Sequence, residues 1–322
     1  MARTFIFPGQ GSQFIGMGKD LYDNFPDAKV VFDAVDDALN QKLSTLMFEG
    51  DESELNLTEN TQPALMAVSL AIVNILKQQG HIDLKKACTY VAGHSLGEYS
   101  ALASAEVVDI AQTARLLKLR GQAMQRAVPV GEGTMAAIIG PDFKDVQSIA
   151  EQATFDLKDN VQKGLTCEVA NDNSIGQVVI SGSQLAVERA VDLATQNGAK
   201  RAVILPVSAP FHCSLMQPAA DEMKLALSEA EFKTPLVPVI ANVTAKAENN
   251  PETLKNLLVD QITGVVRWRE SVQYMAEHNI TEMVEIGAGK VLNGLVRRID
   301  KSIECSSVGT VEQIEELIKK LS

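Results

Sequence analysis

The sequence predicts an α/β fold: a large domain built on a parallel sheet, interrupted by a smaller subdomain. Two patterns carry that expectation. Short β-rich runs alternate with amphipathic helical stretches along the chain, which is the signature of helices packed on a sheet. Between Thr134 and Pro206 the rhythm changes to β-α-β-β-α-β, the order of a ferredoxin-like unit. With 322 residues, 46% of them hydrophobic, the chain exceeds the usual size of one domain and can bury a large core.

The elements follow in order. Thr4–Phe7 is a first strand, ended by Pro8 and followed by the glycine-rich Gly9-Gln10-Gly11-Ser12-Gln13. Thr61-Gln62-Pro63 reads as a helix start, with Thr61 as N-cap and proline in the first turn, opening the apolar helix Ala64 to Leu76. Tyr90-Val91-Ala92 is β-like, and a helix follows from Glu98. Asp109 caps a helix with Leu116, Leu117, Leu119 and Met124 on one side and basic residues on its other faces. Within the insert we expect strand Met135–Ile139, a helix from about Phe143, strand Cys167–Ala170, a turn over Asn171–Gly176, strand Gln177–Ser181, helix Ala186–Asn197 and strand Arg201–Leu205. Val237–Ala241, Glu282–Ile286 and Glu304–Val308 complete the strands, so the expected division is residues 1–131 with 207–322, and 132–206.

Charge and composition narrow the function classes. A net charge of −12 would repel a phosphate surface, which argues against nucleic acid as the partner. Cys88, Cys167, Cys213 and Cys305 are scattered without a C-x-x-C pair, and His81, His94, His212 and His278 have no ligand spacing. Neither a metal nor a disulfide is expected, and a reducing cytosol fits. The N-terminus reaches Pro8 too soon for a signal-peptide core, and Ala64–Leu76 is too short to span a bilayer, so no membrane association is expected.

The most informative motif is Gly93-His94-Ser95-Leu96-Gly97, a G-x-S-x-G between a strand and a helix. In that context glycines permit a sharp turn, the serine Oγ is thrust out at the carboxyl edge of the sheet, and the helix N-terminus faces any oxyanion formed there. A nucleophilic serine needs a base, and histidine suits neutral pH. His212, in the loop after the insert's last strand, is the best placed of the four. The large domain is thus α/β-hydrolase-like, but the order of residues is not that of a hydrolase, whose histidine lies in a late loop. A neutral amide or carbonyl could orient His212 instead of a carboxylate.

Other motifs fall short. Gly9-Gln10-Gly11 lacks the third glycine of a dinucleotide fingerprint, because position 14 is Phe14. Gly287-Ala288-Gly289-Lys290 lacks both the upstream glycine and the following Ser/Thr of a P-loop; it is a strand-to-helix turn whose N–H groups could meet an anion. Arg120, on a helix among Leu116, Leu117, Leu119 and Ala123, is placed for partial burial, where its guanidinium would want an anionic partner such as a substrate carboxylate.

Taken together and in order, these segments resemble the malonyl-CoA:acyl-carrier-protein transacylase family over essentially the whole chain. The matching pieces include Phe7-Pro8-Gly9-Gln10-Gly11-Ser12-Gln13, Thr61-Gln62-Pro63-Ala64, Gly93 to Tyr99, Arg120-Gly121 and Gly176 to Gly182. Pro210-Phe211-His212, Asn242-Val243-Thr244, Val265 to Trp268 and Glu285 to Leu292 continue the series. The resemblance implies Ser95 as nucleophile, His212 as base, and an oxyanion hole from the backbone N–H groups of Gln10 and Leu96. It implies Arg120 as partner of a malonyl carboxylate and Gln261 as the residue whose backbone carbonyl orients His212. Gln62 and Asn173 would line the pocket, and Phe211 resembles the malonyl-selective pattern in which a bulky ring crowds a 2-methyl group. Relatives often have proline where this chain has Ile175. The implied reaction is ping-pong transfer of malonyl from malonyl-CoA to acyl carrier protein for fatty acid synthesis, by a cytoplasmic monomer without a cofactor. Because such carriers are acidic, Lys118, Arg126, Lys200, Arg201, Arg267, Arg269, Arg297 and Arg298 become candidates for a positive docking rim. The alternatives are a serine esterase or thioesterase, with water as second substrate, and a non-catalytic scaffold that binds acyl carriers.

Overall fold

A computed structural model describes residues 2–158 and 165–322. Its strands are β1 (Arg3–Phe7), β2 (Tyr90–Gly93), β3 (Gly133–Ile139), β4 (Cys167–Ser174), β5 (Gln177–Ser183), β6 (Arg201–Ile204), β7 (Val239–Ala241), β8 (Lys246–Glu248), β9 (Glu282–Ile286) and β10 (Glu304–Val308). They form two sheets. The larger runs β10-β9-β1-β2-β7-β8 and the smaller β4-β5-β3-β6.

The large sheet is mixed rather than purely parallel. Its first five strands are parallel, as βα units require, but β8 returns antiparallel on β7. β8 went unseen in the sequence because Lys246–Glu248 is a three-residue edge strand with no apolar alternation. Inside the sheet every residue of β1 is buried, since helices cover both faces. Phe5 and Phe7 point into one core with Leu65, Ile72 and Leu102, while Ile6, between them, points into another with Ile240, Met283 and Trp268. That is the two-residue period of a strand dividing one sequence between two cores.

The smaller sheet is antiparallel throughout, and the helices Phe143–Lys158 and Gln184–Gln196 fall between its strands in the order β3-α-β4-β5-α-β6. It has its own core, including Ile138, Val146, Ile180 and Val187.

Two expected boundaries are wrong, for physical reasons. The apolar helix begins at Thr58, not after Thr61, and Pro63 lies inside it. Thr61 does not cap: its hydroxyl donates to the Leu55 carbonyl at 2.6 Å and is fully buried. The turn expected over Asn171–Gly176 shrinks to Ile175-Gly176, because Asn171–Ser174 continue β4 through two irregularities in its pairing with β5. These polar residues hold strand geometry because they have partners from the large sheet's side. Asn171 bridges Val266, and the Asp172 carboxylate pairs with Arg269 at 2.7 Å.

Candidate active site

At the carboxyl end of β2 the chain reverses into the helix Gly97–Ser104. The reversal is possible only because two residues lack side chains. A Cβ on Gly93 would lie 1.9 Å from the backbone of Gly97, and one on Gly97 would lie 2.3 Å from the Phe7 carbonyl. Ser95, at the apex, has φ 53°, a left-handed conformation that a non-glycine residue holds only under constraint. The constraint is Asn242, just past β7. Its Oδ1 accepts from the Ser95 N–H at 2.8 Å, and its Nδ2 donates to the Gly93 carbonyl at 2.7 Å.

The Ser95 hydroxyl meets two side chains from distant parts of the chain. His212 Nε2 lies 2.8 Å from Oγ, and Arg120 Nη2 donates to Oγ at 3.2 Å. The other imidazole nitrogen, Nδ1, is 2.8 Å from the Gln261 backbone carbonyl. A carbonyl can only accept, so Nδ1 carries the proton and Nε2 presents a lone pair to the serine. Among the described residues no carboxylate hydrogen-bonds to the ring. Burial, and after it the Arg120 cation, push the His212 pKa down to about 3, so the imidazole is neutral in the resting site.

Arg120 is fully buried, where partial burial was expected. Nη1 donates to Gln62 Oε1 and Nη2 to Gln261 Oε1, each at 2.8 Å. Burial lowers its pKa, and among the described residues no carboxylate hydrogen-bonds to it. Such a cation is poised for an anionic ligand.

These groups line a cavity of about 530 Å³ whose wall also includes Gln10, Leu96, Gln62, Phe211 and Asn173. Leu96 is the N-cap of the helix Gly97–Ser104, so its N–H lies at the positive end of that helix. Asn173, on β4, brings the smaller sheet to this wall, with its Oδ1 2.8 Å from His94 Nε2. The other candidate residues of the sequence thus converge on one space, and Gln261 supports it from behind, its side chain accepting from Arg120 and its main chain from His212.

Two residues went unassigned in the sequence. Asn242 is the staple described above. Glu98, 1% exposed, accepts from the Asn242 N–H at 3.0 Å and from Gln261 Nε2 at 2.8 Å. Burial raises its pKa to about 7. The available signal was position: a polar residue directly after a buried strand, and an acid in the first turn of a helix, both at a carboxyl sheet edge where α/β sites form.

Two other groups of expected residues meet partners within the chain. The turn Gly287–Lys290 does not offer its helix N-terminus to an external anion. The Glu285 carboxylate already accepts from the Leu292 and Asn293 N–H groups at 3.0 and 2.9 Å. Of the eight candidate rim cations, Lys118, Arg126, Arg267 and Arg269 are engaged by Glu59, Glu222, Glu270 and Asp172. Arg297 and Arg298 donate to the Cys305 carbonyl and to Gln177 Oε1, while Lys200 and Arg201 are exposed. Among the described residues no helix is long and apolar enough to cross a membrane, and no cluster of three or more His, Cys, Asp or Glu could hold a metal.

Comparison with known proteins agrees with this geometry. Residues 4–318 match the acyl transferase domain family. The chain is 44% identical to the malonyl CoA-acyl carrier protein transacylase of Bacillus subtilis, covering 99% of this chain and 96% of that one. The protein of the same name from Escherichia coli K12 is also 44% identical, over 95% of each chain. Among solved structures, the acyl-carrier-protein-S-malonyltransferase of Bartonella henselae superposes with a TM-score of 0.95 at 53% identity, covering 100% of this chain and 99% of that one. A malonyl-transacylase solved in complex with its type II PKS acyl-carrier protein gives 0.93 at 41% identity, covering 99% and 100%. A serine hydroxyl met by a neutral imidazole and a buried cation, on a chain that matches these proteins end to end, leads to one conclusion: the chain belongs to the acyl transferase domain family, among the malonyl-CoA:acyl-carrier-protein transacylases.

Proposed function

We propose that this protein transfers the malonyl group of malonyl-CoA to the phosphopantetheine thiol of acyl carrier protein through a malonyl-Ser95 intermediate, supplying fatty acid synthesis. The observation that carries the reading is the convergence on Ser95 Oγ of His212 Nε2 at 2.8 Å and Arg120 Nη2 at 3.2 Å, inside one cavity. His212 Nε2 takes the hydroxyl proton as Oγ attacks the thioester carbonyl. The tetrahedral oxyanion is received by the N–H groups of Gln10 and Leu96. As it collapses, the C–S bond breaks and coenzyme A leaves as its thiol, with the proton from His212. The carrier's thiol then gives its proton to His212, attacks the malonyl ester and returns Ser95 to its hydroxyl form, so the kinetics are ping-pong.

Arg120 pairs with the malonyl carboxylate, which gives the buried guanidinium a hydrogen-bonded anionic partner. Gln62 and Asn173 line the acyl pocket, and Phe211 crowds a 2-methyl substituent. The chemistry needs no cofactor. We read the segment 132–206 as a ferredoxin-like insert in a large domain of residues 1–131 and 207–322. The partners are malonyl-CoA and acyl carrier protein, engaged by a cytoplasmic monomer.

Incubation with malonyl-CoA should add one malonyl mass to the intact protein on Ser95, and addition of holo carrier protein should discharge it to the carrier. Ser95→Ala should take up nothing. Discharge mainly to water would make the protein a thioesterase instead, and no labelling of Ser95 would leave only a binding role.

A further inference from the structure

Gln261 is held in one particular orientation, and the group that holds it is Glu98. The side-chain amide of Gln261 has two ends of nearly the same shape. Nε2 donates to Glu98 Oε2 at 2.8 Å and to the Ser95 carbonyl at 3.0 Å, while Oε1 accepts from Arg120 Nη2 at 2.8 Å. A flipped amide would set its oxygen against two acceptors and its NH2 against a cation. The Ser95 carbonyl occupies one N–H of the amide and Glu98 the other. Glu98 is itself anchored, since its Oε2 also accepts from the Asn242 N–H at 3.0 Å. Its second oxygen, Oε1, is buried and makes no hydrogen bond among the described residues, so a proton there leaves the Oε2 contacts intact. The main chain of Gln261 meanwhile holds His212 through the 2.8 Å bond to Nδ1. One residue therefore touches the base, the cation and the nucleophile's backbone, and its amide is oriented by a carboxyl group that touches none of the reacting atoms.

We propose that Glu98 is a positioning residue for acyl transfer: acting through the Gln261 amide, it holds Arg120 in register with Ser95 Oγ and His212. This rests on the reading of Ser95, His212 and Arg120 given above. A merely structural Glu98 would tie the helix Gly97–Ser104 to the segment after β7, and its loss would lower the fraction of folded enzyme without altering what each folded molecule prefers. A positioning Glu98 changes preference, because a displaced guanidinium meets the malonyl carboxylate poorly and an acetyl group not at all.

The experiment compares full-length wild type, Glu98→Ala and Glu98→Gln, with rates expressed per active site titrated by acylation of Ser95. Both kcat and KM are measured with malonyl-CoA and acetyl-CoA, with holo carrier protein as acceptor. Glu98→Ala is expected to lose about 100-fold in kcat/KM for malonyl-CoA, the scale of a misplacement of about 1 Å. Its malonyl-to-acetyl ratio should fall by about tenfold or more, equivalent to one good charge-assisted contact. Glu98→Gln keeps an acceptor oxygen toward Gln261 and should restore most of both. An unchanged malonyl-to-acetyl ratio in Glu98→Ala, or a fall that Glu98→Gln does not restore, overturns the proposal. Should Glu98→Ala not fold, Gln261→Leu carries the test, since it removes the amide and keeps the backbone carbonyl; an unchanged ratio there overturns it equally. Failure of wild type to acylate Ser95 at all would instead overturn the reading of the site.

Discussion

Ser95 and His212, whose Oγ and Nε2 lie 2.8 Å apart, share a backbone peculiarity: both are non-glycine residues in left-handed conformation, at φ 53° and 60°. Each such residue costs roughly 1–3 kcal/mol, which the surroundings must supply. For Ser95 the surroundings are the Asn242 amide, and for His212 the Gln261 carbonyl. Two residues from separate parts of the chain thus hold two strained ones at hydrogen-bond distance.

The strain can be measured apart from the chemistry. Ser95→Ala and Ser95→Gly should both abolish acylation, but only glycine adopts the left-handed region without penalty. Ser95→Gly is expected to be the more stable of the two by about 1 kcal/mol, read as the higher thermal midpoint. A higher midpoint for Ser95→Ala would show that the elbow is unstrained.

Gly93 is the sharper steric case. The Cβ of Gly93→Ala would lie 1.9 Å from the backbone of Gly97, an atom that cannot swing aside as the end of a side chain could. This substitution should cost several kcal/mol or prevent folding, placing it in the far tail of point mutations. A soluble Gly93→Ala protein with a wild-type melting curve would contradict the elbow geometry.

Selectivity should reside in Arg120. Arg120→Ala removes the cation and leaves the acceptors Gln62 Oε1 and Gln261 Oε1 without their donor. The expected loss in kcat/KM is roughly 100-fold or more for malonyl-CoA and much smaller for acetyl-CoA. Competition between the two thioesters, with products resolved by mass, reads this directly, and equal losses for both would remove Arg120 from substrate recognition.

The two perturbed groups of the site act on stability in opposite senses. His212, depressed from 6.5 to about 3, refuses a proton that the unfolded chain accepts, so its contribution is full above 6.5 and declines as pH falls toward 3. Glu98, raised from 4.5 to about 7, keeps a proton that the unfolded chain releases, so its contribution is full below 4.5 and declines as pH rises through 7. The ionisable groups coupled to Glu98 are Arg120 and Tyr99, while the neutral amides of Asn242 and Gln261 bond to it. Between 4.5 and 6.5 the two slopes oppose each other, and above that window Glu98 alone erodes stability. The midpoint of Glu98→Gln relative to wild type should therefore rise from about pH 5 to about pH 8. A difference independent of pH would mean that Glu98 does not titrate in this range.

The parts of this molecule legible in its sequence are those governed by local rules. β1, β2 and β9 follow from apolar runs closed by turn residues, and Asp109 caps its helix as its position implies, accepting from the Gln112 N–H at 2.7 Å. The glycines flanking Ser95 announce the elbow because only glycine fits there. What stayed hidden depends on contacts across the chain. Asn171–Ser174 look like a turn until Arg269 and Val266 are seen to hold them extended. Thr61 looks like a cap until Leu55 is seen to accept its hydroxyl. Arg120 reads as only partly buried until Gln62 and Gln261 are seen to close over it, and Glu98 has no recognisable pattern because its partners lie 144 and 163 residues away.

The separation of 117 positions between Ser95 and His212 also sets an order of events during synthesis. A nascent chain exposes the elbow and Arg120 well before it contains its base, and Asn242 and Gln261 emerge later still. Until then Ser95 is an ordinary alcohol, without a proton acceptor or a strap on its backbone, and cannot capture an acyl group from the surrounding thioester pool. On the function proposed above, reactivity arrives only when the segments bearing His212, Asn242 and Gln261 fold back onto the elbow, so a product terminated before them is chemically silent.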